Sequence, residues 1–383
     1  MGAGMVVRKL LRKAAMATHL NGAIYRWMMP RISRILPIPP LHESSKKLET
    51  LSVDPRTSAI REQPAIRDTE SDLDLQIIVP AYNAEATLRA CVESVLGQRT
   101  RYSYRIDIVD DGSMDATGDI ARSLELDHPD RIRVITQENR GFSGARNAGL
   151  RHLDARYITF LDSDDELAPG AVDALLDAAA QSRADIVQGN LERFAGATRV
   201  GGDTVSTEPN GYPCGKLYRA DLFTDLQFPE GYWFEDTMIA FIVCTLAESM
   251  HCIPRTVYRY RVNTASISHT YFRSVKSLDT VYVTNQCLRD LRILHADFGS
   301  SRLLGLFLMQ VVRNFTRTIG FGRRIQIAVF RYEIALLEEF FPDAVLRDVD
   351  GYYADLLRAL RDHDYGRYRL FSWTHDCIWP EQA

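Results

Sequence analysis

Between residues 75 and 190 the apolar residues fall into two alternating rhythms. Residues 75–80 read LQIIVP, a nearly continuous apolar run typical of a parallel strand covered on both faces. Over residues 87–98, Leu88, Cys91, Val92, Val95 and Leu96 recur three and four apart, the period of a helix with one buried face. Strand-like runs return at 104–109, 132–136, 157–162 and 185–189, and helical ones start near 116 and 143 and fill 170–182. This alternation predicts an α/β fold with a doubly wound sheet, whose ligands bind beyond the carboxyl ends of its strands. Residues 190–270 are mixed. From about 274 to 360 helical spacing dominates (Leu278, Val281, Leu288, Leu291, Leu294), predicting a C-terminal helical region over 271–383.

Two segments precede the alternating region. Residues 1–36 carry Arg8, Lys9, Arg12, Lys13, Arg26, Arg31 and Arg34 and no acid, a charge of +7 in a chain whose net charge is −4. Val6, Val7, Leu10, Leu11 and Ala14, then Leu20, Ile24, Trp27 and Met28, form an apolar stripe. A basic amphipathic helix with Trp on its apolar side suits an anionic membrane surface. The same stripe equally serves a helix packed on the protein's own body or on a partner. Residues 37–74 open on Pro37, Pro39 and Pro40 and then turn polar, which predicts a linker.

Composition narrows the classes. At 383 residues, 46% apolar and 25% charged, the chain has room for about two globular domains plus appendages. An acidic balance argues against a nucleic-acid binder. The six cysteines and nine histidines show neither C-x-x-C nor H-x-x-x-H spacing, so zinc and disulfide frameworks are not indicated, and a reducing compartment fits. There is no uninterrupted apolar run of about 18 residues and no secretory core. The expectation is a cytoplasmic protein, soluble or peripheral on the cytoplasmic face of the membrane.

Candidate chemistry collects at strand ends. The first strand is followed by Pro80-Ala81-Tyr82-Asn83-Ala84-Glu85, the second by Asp110-Asp111-Gly112-Ser113, and the fourth by Asp162-Ser163-Asp164-Asp165. Each alone is ordinary turn and cap chemistry. Together they converge at one sheet edge, where carboxylates repel unless a cation or donors offset the charge. A magnesium- or manganese-type ion shared with substrate phosphates fits. Between them, residues 139–149 read NRGFSGARNAG, which is neither a dinucleotide fingerprint nor a P-loop, and Arg146 offers a guanidinium suited to phosphate.

These segments, with IVPAYN at 78–83, VDDGS at 109–113 and FLDSDD at 160–165, resemble the family 2 glycosyltransferases of GT-A fold. The likeness is close over 75–190 and looser to 270, so 75–270 would be the catalytic domain, 75–190 its nucleotide-sugar half and 191–270 its acceptor half. It implies a nucleotide-sugar donor, most often uridine-linked. Pro80, Ala81 and Tyr82 would line the base and ribose, with Glu85 near the ribose and Asp111 accepting a hydrogen bond from the base. Arg146 would meet the nucleotide or diphosphate. Asp162-Ser163-Asp164 would be the D-x-D metal motif, with Asp164 the direct ligand of Mn2+ or Mg2+ and Ser163 near the donor ribose or sugar. GYWFED at 231–236 resembles the segment bearing the catalytic base. Asp236 matches that base and Glu235 precedes it.

An acceptor hydroxyl must lose its proton as it attacks the anomeric carbon, which a carboxylate in reach accomplishes. One displacement with one base implies inversion. Trp233 and Tyr232 suit either stacking on a sugar or local packing. Lys216, within CGKLY at 214–218, and His269 are candidates for contact with acceptor or diphosphate. The Q-x-x-R-W signature of processive synthases is missing, favouring addition of one or few sugars to a glycan, glycolipid, lipid-linked or wall-polymer acceptor. Two rivals use the same features: a sugar nucleotidyltransferase, and a non-catalytic relative acting as a binding or scaffold module. The basic arm yields a direct expectation. The full chain should co-sediment with vesicles containing anionic lipid, and deletion of residues 1–36 should abolish this; equal binding by both forms refutes the membrane-surface role.

Overall fold

The apolar runs become the strands of a mixed sheet in the computed structural model, which describes residues 21–33, 37–68, 72–196, 198–202, 211–263, 274–349 and 351–378. The chain divides into two compact units, Pro55–His269 with Gln286–Ala296, and Met1–Asp54 with Thr270–Asn285 and Asp297–Ala383.

In the first unit the main elements are β1 (Leu73–Ala81), α1 (Leu88–Leu96), β2 (Tyr104–Asp110), α2 (Thr117–Asp127), β3 (Ile132–Thr136), α3 (Gly141–Gly149), β4 (Ala155–Phe160), α4 (Ala171–Ser182), β5 (Ile186–Ala195), β6 (Lys216–Arg219) and β7 (Met250–Arg261). The sheet runs β3-β2-β1-β4-β6-β5-β7, ending on the short strand Glu166–Leu167, with Thr198–Gly202 paired to β5. The β3-β2-β1-β4 half is parallel throughout. β6 runs antiparallel to both neighbours, β4 and β5, which therefore point the same way. In register, Ala81 stands beside Asp110 and Ile78 beside Phe160. The carboxyl ends of β2, β1 and β4 therefore lie side by side, and the expected edge forms. β4 ends at Phe160, so Asp162 falls in the turn beyond it.

The alternation works because each parallel strand is covered by helices. Ile77 and Val79 pack with Leu88, Val92 and Val95 of α1 in one apolar layer, all of them fully buried. α3 comes so close to β1 that a Cβ on Gly149 would lie 2.6 Å from Ile78 Cγ2. Behind the end of β4, Phe160 meets Phe228 at 5.2 Å, Phe223 at 5.6 Å and Tyr218 at 5.9 Å, each edge to face. This aromatic cluster is a floor under the D-x-D turn.

Residues 37–74 depart from the linker expectation. Leu41–Glu49 is a helix with Leu48 fully buried. Farther on, the Ala59 amide donates to Asp290 Oδ2 at 2.7 Å, and Arg61 and Ala65 pair with the backbone of Asp225 and Thr224. Composition misled because polar residues here satisfy backbone and carboxylate partners far along the chain.

The second unit is helical, built from Asn21–Met28, Leu41–Glu49, Ser301–Thr318, Arg323–Phe340, Gly351–Arg361 and Tyr365–Ile378 among its described residues. Residues 1–20 of the basic arm lie outside the described residues. Of the rest, Tyr25 packs on Phe371 and donates to Asp355 Oδ2 at 3.0 Å. Trp27 is 61% exposed, and the Arg31 guanidinium sits 4.6 Å over its ring. Among the described residues no helix is long and apolar enough to cross a membrane.

The aromatic floor can be tested directly. Phe160→Ala should destabilise the fold by about 3–5 kcal/mol, as removal of a fully buried ring does. Denaturant unfolding measures this, and a loss below about 1 kcal/mol would contradict the packing.

Candidate active site

The site is assembled from three neighbouring strand ends and one distant loop. After β1, Asn83 takes a left-handed conformation (φ +48°) and its amide donates to Ser113 Oγ, while the Met114 amide donates back to Asn83 Oδ1. The Ala84 amide donates to Thr117 Oγ1, and the Ala116 amide donates to the Glu85 carboxylate. These contacts zip the loops after β1 and β2 together. Tyr82 is left exposed, Pro80 half-buried, and Ala81 buried with its carbonyl taken by the Asp111 amide.

Asp111 is 2% exposed. Its Oδ1 accepts from Gln137 Nε2 at 2.7 Å and from the Arg140 amide at 2.9 Å. Its Oδ2, also buried, has no hydrogen-bond partner among the described residues. A buried unpaired carboxylate oxygen is costly, so this atom is an acceptor in want of a donor. Gly112 allows the arrangement: φ is +72°, and a Cβ there would stand 2.9 Å from the Asn139 nitrogen.

The D-x-D turn is clamped by β7. The Tyr258 hydroxyl donates to Asp165 Oδ2 at 2.7 Å, and the Asp162 amide donates to that hydroxyl. The Arg261 amide donates to Asp165 Oδ1, and its Nε donates to the Asp164 carbonyl. Asp165 is thus a buried anchor, and burial first, then Asp162 and Asp164, pushes its carboxyl up to about 8. Asp162, Ser163 and Asp164 are half-exposed. Asp164 is raised by burial and by the charge of Asp162.

A divalent cation relieves such a like-charged pair, and an all-oxygen donor set of two carboxylates completed by substrate phosphates is the hard-cation pattern. Asp162 and Asp164 fit that role. Among the described residues no group of three or more His, Cys, Asp or Glu side chains forms a closed metal cage.

The distant loop is held by α3. Arg146, 5% exposed, donates through Nη2 to Asp162 Oδ1 at 2.9 Å and through Nη1 to Glu235 Oε1. Burial alone would lower its pKa; Asp162 and Glu235 outweigh that and raise it. Glu235, 6% exposed, is raised by burial, opposed by Arg146 and reinforced by Asp236. Asp236 is half-buried. Phe234 immediately before the pair holds φ +64°, a strained value for a residue with a side chain.

Other expected residues fall elsewhere. Lys216 has no accessible surface; its Nζ donates to the Tyr212 carbonyl and burial lowers it to about 8, so contact with a ligand is corrected to a structural role. This burial is something position in the sequence did not reveal. Tyr232 is buried, and Trp233 is half-buried, edge-on to Phe234. His269 lies outside the described residues.

Residues 76–227 match the model of glycosyl transferase family 2. The chain is 35% identical over 226 residues to the glycosyltransferase GlyA of Streptococcus pneumoniae, 52% of this chain but 32% of that protein. It is 30% identical over 235 residues to EpsH of Bacillus subtilis, named as a glycosyltransferase, covering 55% of this chain and 67% of that one. The chain belongs to glycosyltransferase family 2. It spans about a third of GlyA's length. The crystal structure of S. aureus TarS 1–349 in complex with UDP-GlcNAc matches with a TM-score of 0.62 at 19% identity, over 79% of this chain and 91% of that one, and shows the shared GT-A fold.

Several residues of the candidate site had no local signal. Tyr258 and Arg261 act on the D-x-D turn from a strand more than 90 residues away. Gln137 was findable as the polar residue closing β3. The anchor role of Asp165 has a pH signature. Its folded pKa of about 8 lies above its ordinary 3.8, so between those values the native state holds a proton the unfolded chain has released. Stability contributed by this group is then lost as pH rises through the window. In metal-free buffer, wild type should lose more Tm than Asp165→Asn between pH 5 and pH 8. Parallel curves would show that Asp165 does not hold that proton.

Proposed function

We propose that this chain transfers a sugar from a nucleotide-sugar donor, read as a UDP-sugar, to a hydroxyl of a glycan, lipid-linked or wall-polymer acceptor, with inversion at the anomeric carbon. The observation that carries the reading is the run of contacts from Glu235 through Arg146 to Asp162, which draws the 235–236 carboxylates to the strand edge that also bears Asp111. Neighbouring strands are about 4.8 Å apart, so the ends of β2 and β4, with β1 between, lie about 10 Å from each other. A nucleoside diphosphate laid along that edge could meet Asp111 at its base and the D-x-D pair at its phosphates. TarS, which shares the fold, was crystallised with UDP-GlcNAc.

In this mechanism the unpaired Asp111 Oδ2 accepts the imide N–H of the base, a donor that uracil presents. Tyr82 offers an exposed ring over the same end. Asp162 and Asp164 would hold manganese or magnesium, whose positive charge would offset the negative charge growing on the departing diphosphate. Asp236 takes the acceptor hydroxyl's proton as oxygen attacks the anomeric carbon from the face opposite the diphosphate. A single displacement turns an α-linked donor into a β-linked product. Glu235, buried and ion-paired, is the less accessible of the two carboxylates, which favours Asp236 as the base. The basic arm, with Trp27 exposed, would bring the catalytic unit to an anionic membrane surface on the cytoplasmic face.

Screening nucleotide sugars with manganese for transfer or slow donor hydrolysis identifies the donor. With that donor, Asp236→Asn should lower transfer by on the order of 100-fold or more while UDP affinity stays unchanged, the range expected for loss of a general base. Loss of donor binding instead would assign Asp236 to the nucleotide site. A product with retained anomeric configuration would refute the single displacement.

A further inference from the structure

We propose that Arg146 is a positioning residue, which sets the location of the base-bearing segment relative to the D-x-D turn and does not itself grip the donor diphosphate. The inference rests on the glycosyltransferase reading above. Both terminal nitrogens of the guanidinium are already engaged by carboxylates, Asp162 on one side and Glu235 on the other. Its Nε is buried without a partner among the described residues, and its carbon lies 5.2 Å over the Phe228 ring. With 5% of its surface exposed, Arg146 has little face to offer a ligand.

The rest of α3 acts on the same distant segment. Asn147 Nδ2 donates to the Phe228 carbonyl at 2.8 Å, and the Phe228 amide donates back to Asn147 Oδ1 at 2.7 Å. Ser143 Oγ donates to the Pro229 carbonyl at 3.1 Å. Arg140, just before the helix, pairs with Glu230 at 2.8 Å. Residues 147, 143, 140 and 146 thus fasten 228, 229, 230 and 235 respectively. The glycine-rich motif, whose Arg146 was expected to meet the nucleotide or diphosphate, works in this structure as the mount for the loop that ends in Asp236. The left-handed Phe234 beside Glu235 is held by this over-determined setting.

Arginine is required because one planar group must serve two carboxylates at once. Lysine supplies a single point charge and cannot preserve that geometry. Misplacing a catalytic group by about 1 Å costs on the order of 100-fold in rate.

The test measures binding and turnover separately in Arg146→Lys, Glu235→Gln and the double variant. UDP affinity in the presence of manganese, read by calorimetry, should stay within about 3-fold of wild type, while kcat falls on the order of 100-fold and donor KM changes little. The double variant should be no slower than the worse single one, as expected for residues acting as a unit. Arg146→Lys keeps the charge, and Glu235→Gln keeps the shape. A rise in the UDP dissociation constant above about 30-fold in Arg146→Lys, in an enzyme whose wild type transfers sugar, makes Arg146 a diphosphate ligand and overturns this inference alone. Unchanged kcat in both single variants also overturns it. Wild type inactive with every nucleotide sugar would overturn the functional reading, and this inference with it.

Discussion

A guanidinium enclosed between two carboxylates ties together the two segments of the candidate site. Arg146 sits where water cannot screen it, so its charge must be met by Asp162 and Glu235 at hydrogen-bond distance. Breaking a buried ion pair from one side typically costs about 3–5 kcal/mol, because the remaining charge is stranded. Such pairs add little net stability compared with apolar packing, but they are exacting about place. Here that demand falls on two segments separated by 73 residues of chain, the D-x-D turn and the loop before Asp236.

The acidic edge follows from the sheet. Parallel strands in the order β3-β2-β1-β4 deliver Asp111 and Asp162 to one side, and β7 returns to secure the turn through Tyr258 and Arg261. Asp165 carries the structural duty, so Asp162 and Asp164 are left half-exposed. The concentration of negative charge is offset within the protein chiefly on the Arg146 side. Burial first, and the neighbouring Asp162 carboxylate second, hold the Asp164 carboxyl above the ordinary range. Its environment is one that a divalent cation improves.

The helical unit lies beyond the residues matched by the family model and carries a buried polar seam of its own. Thr280, Gln310 and Asn314 are joined by hydrogen bonds, and Gln326 donates to Thr318. Glu333 is fully buried there, and burial raises its carboxyl well above the ordinary range. Buried polar groups of this kind fix which helix faces meet, because each must find its partner. The exposed Trp27 and Trp373 lie on this unit.

The sequence by itself determined the alternation of strands and helices, the strand ends at which the polar clusters fall, and the family. Those properties are written in local periodicity and contiguous motifs. A run such as LQIIVP has few ways to bury itself, and a D-x-D at a strand end reads the same in isolation. Only the tertiary structure decided which residues those motifs touch. It paired Arg146 with Glu235 across 89 positions, buried Lys216, made Asp165 an anchor and left one oxygen of Asp111 without a partner among the described residues. It also folded residues 41–49, which composition had assigned to a linker, into a helix that buries Leu48. Burial and charge compensation depend on neighbours from other strands and loops, and spacing along the chain does not encode them.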